Sequence, residues 1–120
     1  MIETIKAPDN VVAFRATGEV TQDDYKEVVL PAVEQLVQEL DEINFLLVLD
    51  TDVDNFTAGA WVQDALLGLK NFGKWNRTAI VSDSDKVIAF TNGFSYLAPG
   101  EFRGFKKDAF VQAIHWVEGD

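Results

Sequence analysis

An unbroken apolar run, FLLVL at residues 45–49, constrains the fold more than any other part of the sequence. A strand with one face in water alternates apolar and polar residues, so an uninterrupted run predicts a strand that is buried on both faces. Strands of this kind are typical of parallel sheets, whose crossover helices cover them. A second buried strand is predicted at residues 78–81, TAIV. The chain is therefore expected to form an α/β fold with a mostly parallel sheet.

Shorter elements surround these two strands and complete the predicted order ββαβαβαβα. A turn containing Pro8 and Asn10 joins two short opening strands into a predicted antiparallel hairpin. The first helix should kink or restart at Pro31, because proline has no amide hydrogen to donate. We predict a single α/β domain over residues 1–120, with right-handed crossovers and a five-stranded sheet covered by helices. Helices are predicted at residues 21–40, 57–75, 86–97 and 107–117.

The composition excludes several classes of protein. The chain has no cysteine, which excludes disulfides and thiolate metal sites and fits a reducing compartment. Residues 1–10 lack the basic and apolar segments of a signal peptide, and no run approaches the roughly 18 apolar residues of a membrane span. A net charge of −10 argues against nucleic acid as a partner. We expect a cytoplasmic protein that binds no cofactor, since a glycine-rich phosphate loop is also lacking.

The predicted helix at residues 57–75, TAGAWVQDALLGLKNFGKW, is more apolar than a helix that only covers a sheet. At 100° per residue its apolar side chains span an arc of about 180°, wider than the usual stripe of about 100°. Leu67 interrupts the polar side of this helix, close to Ala60. Deep burial between the sheet and its neighbours, a pocket wall, a membrane contact and a homodimer patch are the alternative explanations.

A pocket between this helix and the next one is the explanation that assigns the helix a function. Aromatic walls with few charges suit an apolar small molecule or a lipid. The predicted ligand-binding residues come from both helices and are Trp61, Ala65, Leu69, Phe72, Trp75, Phe90, Phe94 and Leu97.

Peripheral membrane contact is the alternative use of the same helix. Leu66 and Leu67 would enter the boundary of the bilayer, with Lys70 and Lys74 near the headgroups. The overall acidity opposes stable contact with anionic lipid, so this interpretation predicts a transient encounter.

Acidic residues follow the central strand at Asp50, Asp52 and Asp54, where an α/β protein places its ligands. A metal-dependent hydrolase is the distant alternative that this cluster raises. The pattern departs from a calcium loop, because Asn55 stands where glycine is required and Trp61 where the distal acid is required. The only histidine, His115, has no nucleophile at motif spacing. We therefore expect neither a metal site nor an enzyme.

Three stretches of the chain resemble the SpoIIAA-like family. The entry to the first helix is GEVTQDDY at residues 18–25, the second buried strand is RTAIVSD at residues 77–83, and the closing segment has spaced aromatic and alanine residues. The remaining residues that carry the resemblance are Pro31, Glu34, Phe102, Phe105, Ala109, Ala113 and Trp116.

This resemblance implies the STAS fold, which anti-sigma-factor antagonists share and which is related in architecture to CRAL-TRIO lipid-binding domains. It also implies binding of membranes or small apolar ligands. The antagonist branch carries a phosphorylatable residue near the position of Thr57, so a regulatory protein–protein module acting through the loop at residues 50–57 is the alternative function. From its place in the sequence, Thr57 is better suited to cap the following helix.

Overall fold

The apolar run at residues 45–49 lies in the central strand of a five-stranded sheet. The computed structural model describes residues 1–96 and 100–119, and at positions 61, 65, 68, 69 and 72 it describes only the backbone. The sheet order is β1-β2-β3-β4-β5, with β1 antiparallel to β2 and all other pairs parallel. The predicted hairpin and fold class are therefore confirmed. The strands are β1 (Ile2–Thr4), β2 (Val12–Thr17), β3 (Ile43–Asp50), β4 (Trp75–Val81) and β5 (Glu101–Phe105).

Four helices cover the sheet in the described part of the chain. None of them is both long and apolar enough to cross a membrane. Single turns of 3-10 helix lie at Val53–Asn55, Phe72–Lys74 and Lys107–Ala109. The helices are α1 (residues 22–40), α2 (Ala58–Lys70), α3 (Asp85–Phe94) and α4 (Phe110–Glu118).

The two faces of the sheet carry different helices. Because the parallel strands follow one another in sheet order, right-handed crossovers place α1, α2 and α3 on one face. Phe45 and Leu47 of β3 point to that face, and Leu46 and Val48 point to the other face, where α4 packs. Burial on both faces explains why β3 has no alternation of polar residues.

Helix α1 restarts where Pro31 predicts it. The helix begins with a capping box between Thr21 and Asp24, continues as a π-helical turn over Tyr25–Val29, and resumes as Leu30–Leu40. Pro31 therefore lies in the first turn of the second α-helical segment, directly after the π-helical turn. The π turn also carries Tyr25, which is 2% exposed, into the space beneath α2.

Helix α2 is shorter than predicted, and residues on its predicted polar side face the core. It ends at Lys70, and Trp75 is the first residue of β4, because pairing with Ile43 of β3 begins there. The buried side of α2 contains Ala60 and Leu67, which pack into the core around α1. The stripe on the predicted polar side therefore faces the protein.

Helix α3 approaches β5 closely because Gly104 has no side chain. A Cβ atom at Gly104 would lie 2.8 Å from the Cα of Ile88. Asn92 and Ser95 then accept hydrogen bonds from the β5 amides of Gly104 and Phe102, at 2.8 and 3.0 Å. These contacts hold α3 over the β5 edge of the sheet.

Replacing Gly104 with alanine is expected to lower the free energy of unfolding by about 1–3 kcal/mol, because the added methyl overlaps the backbone of Ile88. Gly93→Ala is the matched control, since a Cβ atom there meets nothing within 4 Å. In α3 that change should raise stability by about 0.5–1 kcal/mol, because glycine loses more backbone entropy on folding. Urea unfolding followed by circular dichroism measures both. Equal effects of the two substitutions would contradict the close approach of α3.

Candidate functional site

A cleft of about 480 Å³ lies between α2 and α3, above the second halves of β3 and β4. Its floor is formed by strand residues on the face that α1, α2 and α3 share. Aromatic and aliphatic side chains make up most of the described lining, and three polar side chains interrupt them. The described lining residues are Tyr25, Leu47, Leu49, Val53, Phe56, Asp64, Ile80, Lys86, Val87 and Phe90.

The cleft exists because α2 and α3 are anchored to different parts of the fold. Helix α2 packs mainly against residues 22–29 of α1, and α3 packs against β5 and β4. Between these two attachments Ile80 of β4 stays only partly covered. The space above the carboxyl ends of β3 and β4 is therefore open.

Phe90 is the most exposed apolar residue of the described lining. It lies in α3 and is 73% exposed, whereas Val87, one turn earlier, is partly buried against the core. On the opposite side Phe56 is buried, and a parallel bridge between Phe56 and Val20 holds it next to the sheet. Both rings line the cleft.

At the wall of the cleft a hydrogen bond links α2 to α1. The Tyr25 hydroxyl donates to Oδ1 of Asp64 at 3.1 Å. Burial, followed by the neighbouring carboxylate, raises the pKa of Tyr25 far above its usual range, so the hydroxyl stays protonated and donates. Asp64 has access to solvent through the cleft, yet protein surrounds its carboxyl on the other sides, and this partial desolvation raises its pKa.

The third polar group of the described lining is Lys86, in the first turn of α3. Its side chain is exposed, and no described residue forms an ion pair or hydrogen bond with its ammonium group. The neighbouring Asp85 instead pairs with Lys106. Lys86 therefore lies at the cleft, and no described side chain fixes the position of its ammonium group.

The structure separates the predicted ligand-binding residues into groups. Phe90 lines the cleft, whereas Trp75 packs with Phe45 and Phe102 at the amino ends of the strands, with ring centroids 5.8 and 6.3 Å apart. Phe94 lies one turn beyond Phe90 and contacts the Phe102 ring edge-on at 5.2 Å. Since α3 runs antiparallel to the strands, this turn carries Phe94 away from the cleft.

The other predicted ligand-binding residues are not described at the level of side chains. Only the backbone is described at Trp61, Ala65, Leu69 and Phe72, and Leu97 lies outside the described residues. Binding by these residues stays a prediction.

Sequence reasoning missed most of the described lining. Leu47 and Ile80 were expected only as buried strand residues, and their place in the cleft floor depends on the distance between α2 and α3. One local signal was available for Asp64. It lies four residues after Ala60 and three before Leu67, so it belongs to the same helical stripe as two core residues.

The residues predicted to contact a membrane do not form one surface. Leu66 is exposed, but Leu67 is 2% exposed and belongs to the core, because its side of α2 faces α1. The assignment of Leu67 to a membrane surface was therefore wrong. Lys70 and Lys74 form ion pairs with Glu34 and Asp41, in and directly after α1.

The loop at residues 50–57 is held by bonds within the protein. Asp50 pairs with Arg15 at 3.0 Å and with Lys107 at 2.7 Å. Thr57 caps α2 as predicted, and its hydroxyl accepts the amide of Ala60 at 3.2 Å. Within residues 1–96 and 100–119, no three histidine, aspartate or glutamate side chains form a group that could hold a metal ion.

Comparisons with known proteins agree with this architecture. A family model described as SpoIIAA-like matches residues 11–118. The crystal structure of an uncharacterized protein from the DUF3478 family with a SpoIIAA-like fold, from Shewanella loihica PV-4, superposes with a TM-score of 0.70 at 25% identity. The superposition covers 98% of this chain and 92% of that chain. No protein with a curated description matches.

Tyr25→Phe is expected to lower the free energy of unfolding by about 1–2 kcal/mol, because it removes a hydrogen bond to a charged group that retains some water. Tyr96→Phe is the matched control, since Tyr96 is 91% exposed, and its effect should stay within about 0.5 kcal/mol. Chemical unfolding of both variants at neutral pH measures the difference. A loss no larger than that of the control would show that the link between α1 and α2 adds nothing to stability.

The free energy of unfolding of the Asp64→Asn variant is expected to depend less on pH than that of the parent protein. Because the pKa of Asp64 is raised, the folded state holds this proton more tightly than the unfolded chain does. The stability that the proton contributes is fully present below the ordinary value of about 3.9 and is lost as the pH rises through the raised value. Asparagine does not ionise, so the variant should gain stability relative to the parent as the pH rises above about 4.

Urea unfolding across this pH range measures the effect of the Asp64 substitution. Asp23→Asn is the control, because it removes an exposed carboxylate of the same chain that lies outside the cleft. The same pH trend in both variants would contradict a specific role for burial at Asp64.

Proposed function

Because the chain belongs to the SpoIIAA-like family, we propose that it is a non-enzymatic binding domain for an apolar small molecule or lipid, held between α2 and α3. The family fold is generally non-catalytic, which accords with a binding role. The observation that carries the proposal is the open apolar cleft above the carboxyl ends of β3 and β4. In α/β proteins this end of the sheet is where ligands bind.

The size and lining of the cleft suit a small apolar ligand. Its volume of about 480 Å³ falls within the range of about 300–1,000 Å³ that is usual for ligand sites. Seven of the ten described lining residues are aliphatic or phenylalanine side chains. A few polar groups among apolar walls are the usual composition of a site that binds an apolar molecule and orients it.

The exposure of Phe90 supplies a driving force for binding. A phenylalanine side chain gains about 1.5–3 kcal/mol when it is fully removed from water, and Phe90 is 73% exposed. Exposed apolar side chains beside a cleft are typical of a surface that a ligand covers.

The uncharged dye N-phenyl-1-naphthylamine is expected to bind in the cleft with a rise in fluorescence. Phe90→Ala should weaken this binding about fivefold, since a loss of about 1 kcal/mol of apolar contact lowers affinity by that factor. Tyr96→Ala is the matched control, because Tyr96 is an exposed aromatic residue outside the described lining. Fluorescence titration measures all three affinities.

Two results of the titration would contradict the proposal. If N-phenyl-1-naphthylamine showed no saturable binding to the parent protein, the cleft would not be a site for apolar ligands. If Phe90→Ala and Tyr96→Ala weakened binding equally, the dye would be held by exposed aromatic side chains in general and not by the cleft.

Native mass spectrometry of the protein purified from its host then identifies the occupant. A co-purifying lipid or small molecule supports the proposal. A bound protein that is lost on Asp52→Lys would instead support a regulatory module acting through the loop at residues 50–57.

A further inference from the structure

We infer that the ligand of the cleft ends in a hydrogen-bond-donating head group, an ammonium or a hydroxyl, and that Asp64 binds this head. The inference rests on the proposed function, because it requires that the cleft holds a ligand. It adds the chemistry of the ligand's polar end, which an apolar cleft alone does not specify.

Asp64 presents an acceptor to the cleft. A carboxylate has two oxygens with about four acceptor positions between them. Tyr25 fills one of these at Oδ1, and it is the only donor to Asp64 among the described residues. Because Asp64 lines the cleft and stays accessible to solvent, its remaining acceptor positions are open to a ligand.

Tyr25 cannot fill these positions, and Lys86, the other donor of the described lining, forms no hydrogen bond with Asp64. The Tyr25 proton is already shared with Asp64, so the tyrosine offers no second donor. A carboxylate accepts hydrogen bonds and does not donate them, which means that a matching ligand group must donate. An anionic head placed beside Asp64 would face a like charge among apolar walls, where repulsion is stronger than in water.

The position of Asp64 is held before any ligand arrives. Tyr25 is buried at the π-helical turn of α1, and its hydrogen bond constrains the carboxylate of α2. A group that is already in place loses little conformational entropy on binding. Asp64 is therefore the polar group of the described lining best prepared to recognise a head group.

Lys86 makes the opposite demand on a ligand, since an ammonium prefers an anion. Its side chain is exposed and no described residue positions it, so binding an anion there would cost the entropy of ordering a long side chain. The net charge of −10 also favours the approach of a cation over that of an anion. Both observations favour Asp64 as the residue that selects the head.

Three alkyl compounds of equal chain length test the inference: decylamine, 1-decanol and decanoate. Each competes with N-phenyl-1-naphthylamine at pH 8, and half-displacement concentrations are compared. Decylamine and 1-decanol are expected to displace the dye from the parent protein at concentrations at least tenfold lower than decanoate. Asp64→Asn should abolish this preference, whereas Asp23→Asn, which removes an exposed carboxylate outside the cleft, should retain it.

The outcomes distinguish this inference from the proposed function. Equal displacement by all three compounds would overturn the inference and leave the cleft as an apolar site. Displacement by none of them, together with no dye binding, would overturn the proposed function itself. If Asp64→Asn fails to fold, equal displacement of the dye from the parent protein by the three compounds still overturns the inference.

Two further results would also overturn the inference. A preference for decanoate that disappears in Lys86→Met would assign the head group to Lys86. The other result is a preference for decylamine alone that falls by the same factor in Asp23→Asn and in Asp64→Asn. That result would attribute the preference to general attraction of a cation to an acidic protein.

Discussion

Burial of β3 on both faces is the constraint on which the rest of the structure depends. Phe45 and Leu47 pack beneath α1 and α2, and Leu46 and Val48 pack beneath α4, so each face of the strand requires its own layer of helices. Parallel strands in sequential order place three consecutive crossover helices on the same face. Among the helices of residues 1–96 and 100–119, only α4, which follows β5, is available for the other face.

The cleft follows from the way in which these helices divide one face of the sheet. Helix α2 is held to α1 by Leu67 and by the bond between Tyr25 and Asp64, and α3 is held to β5 by the contact between Ile88 and Gly104. These anchors lie on opposite sides of the cleft. The strand residues of β3 and β4 between the two anchors are consequently left open as the floor of the cleft.

The same arrangement gives the cleft its mixed character. The hydrogen bond that attaches α2 to α1 places a carboxylate in an otherwise apolar wall, so one interaction serves the packing of two helices and leaves acceptor positions open. Under the proposed function, stability and ligand recognition share Asp64.

The local patterns of the sequence determined the elements and their order. The apolar runs identified β3 and β4 because burial on both faces removes alternation, and Thr57 was identified as a cap because its hydroxyl replaces a missing helical partner. The end of α2 was misjudged, since Trp75 suits either a helix or a strand and only its pairing with Ile43 decides. Leu67 was misassigned because periodicity defines a stripe without saying what the stripe contacts.

What the tertiary structure alone decided is the cleft and the side chains that line it. The open side of Asp64 depends on Tyr25, which is 39 residues away in the sequence, and the position of Phe90 depends on the approach of α3 to Gly104 of the last strand. A local pattern reveals neither the hydrogen bond between Tyr25 and Asp64 nor the approach of α3 to Gly104. Each depends on packing between segments that are remote along the chain. The sequence by itself therefore determined a parallel α/β sheet with an unusually apolar second helix, and long-range packing decided that this helix stands beside a cleft.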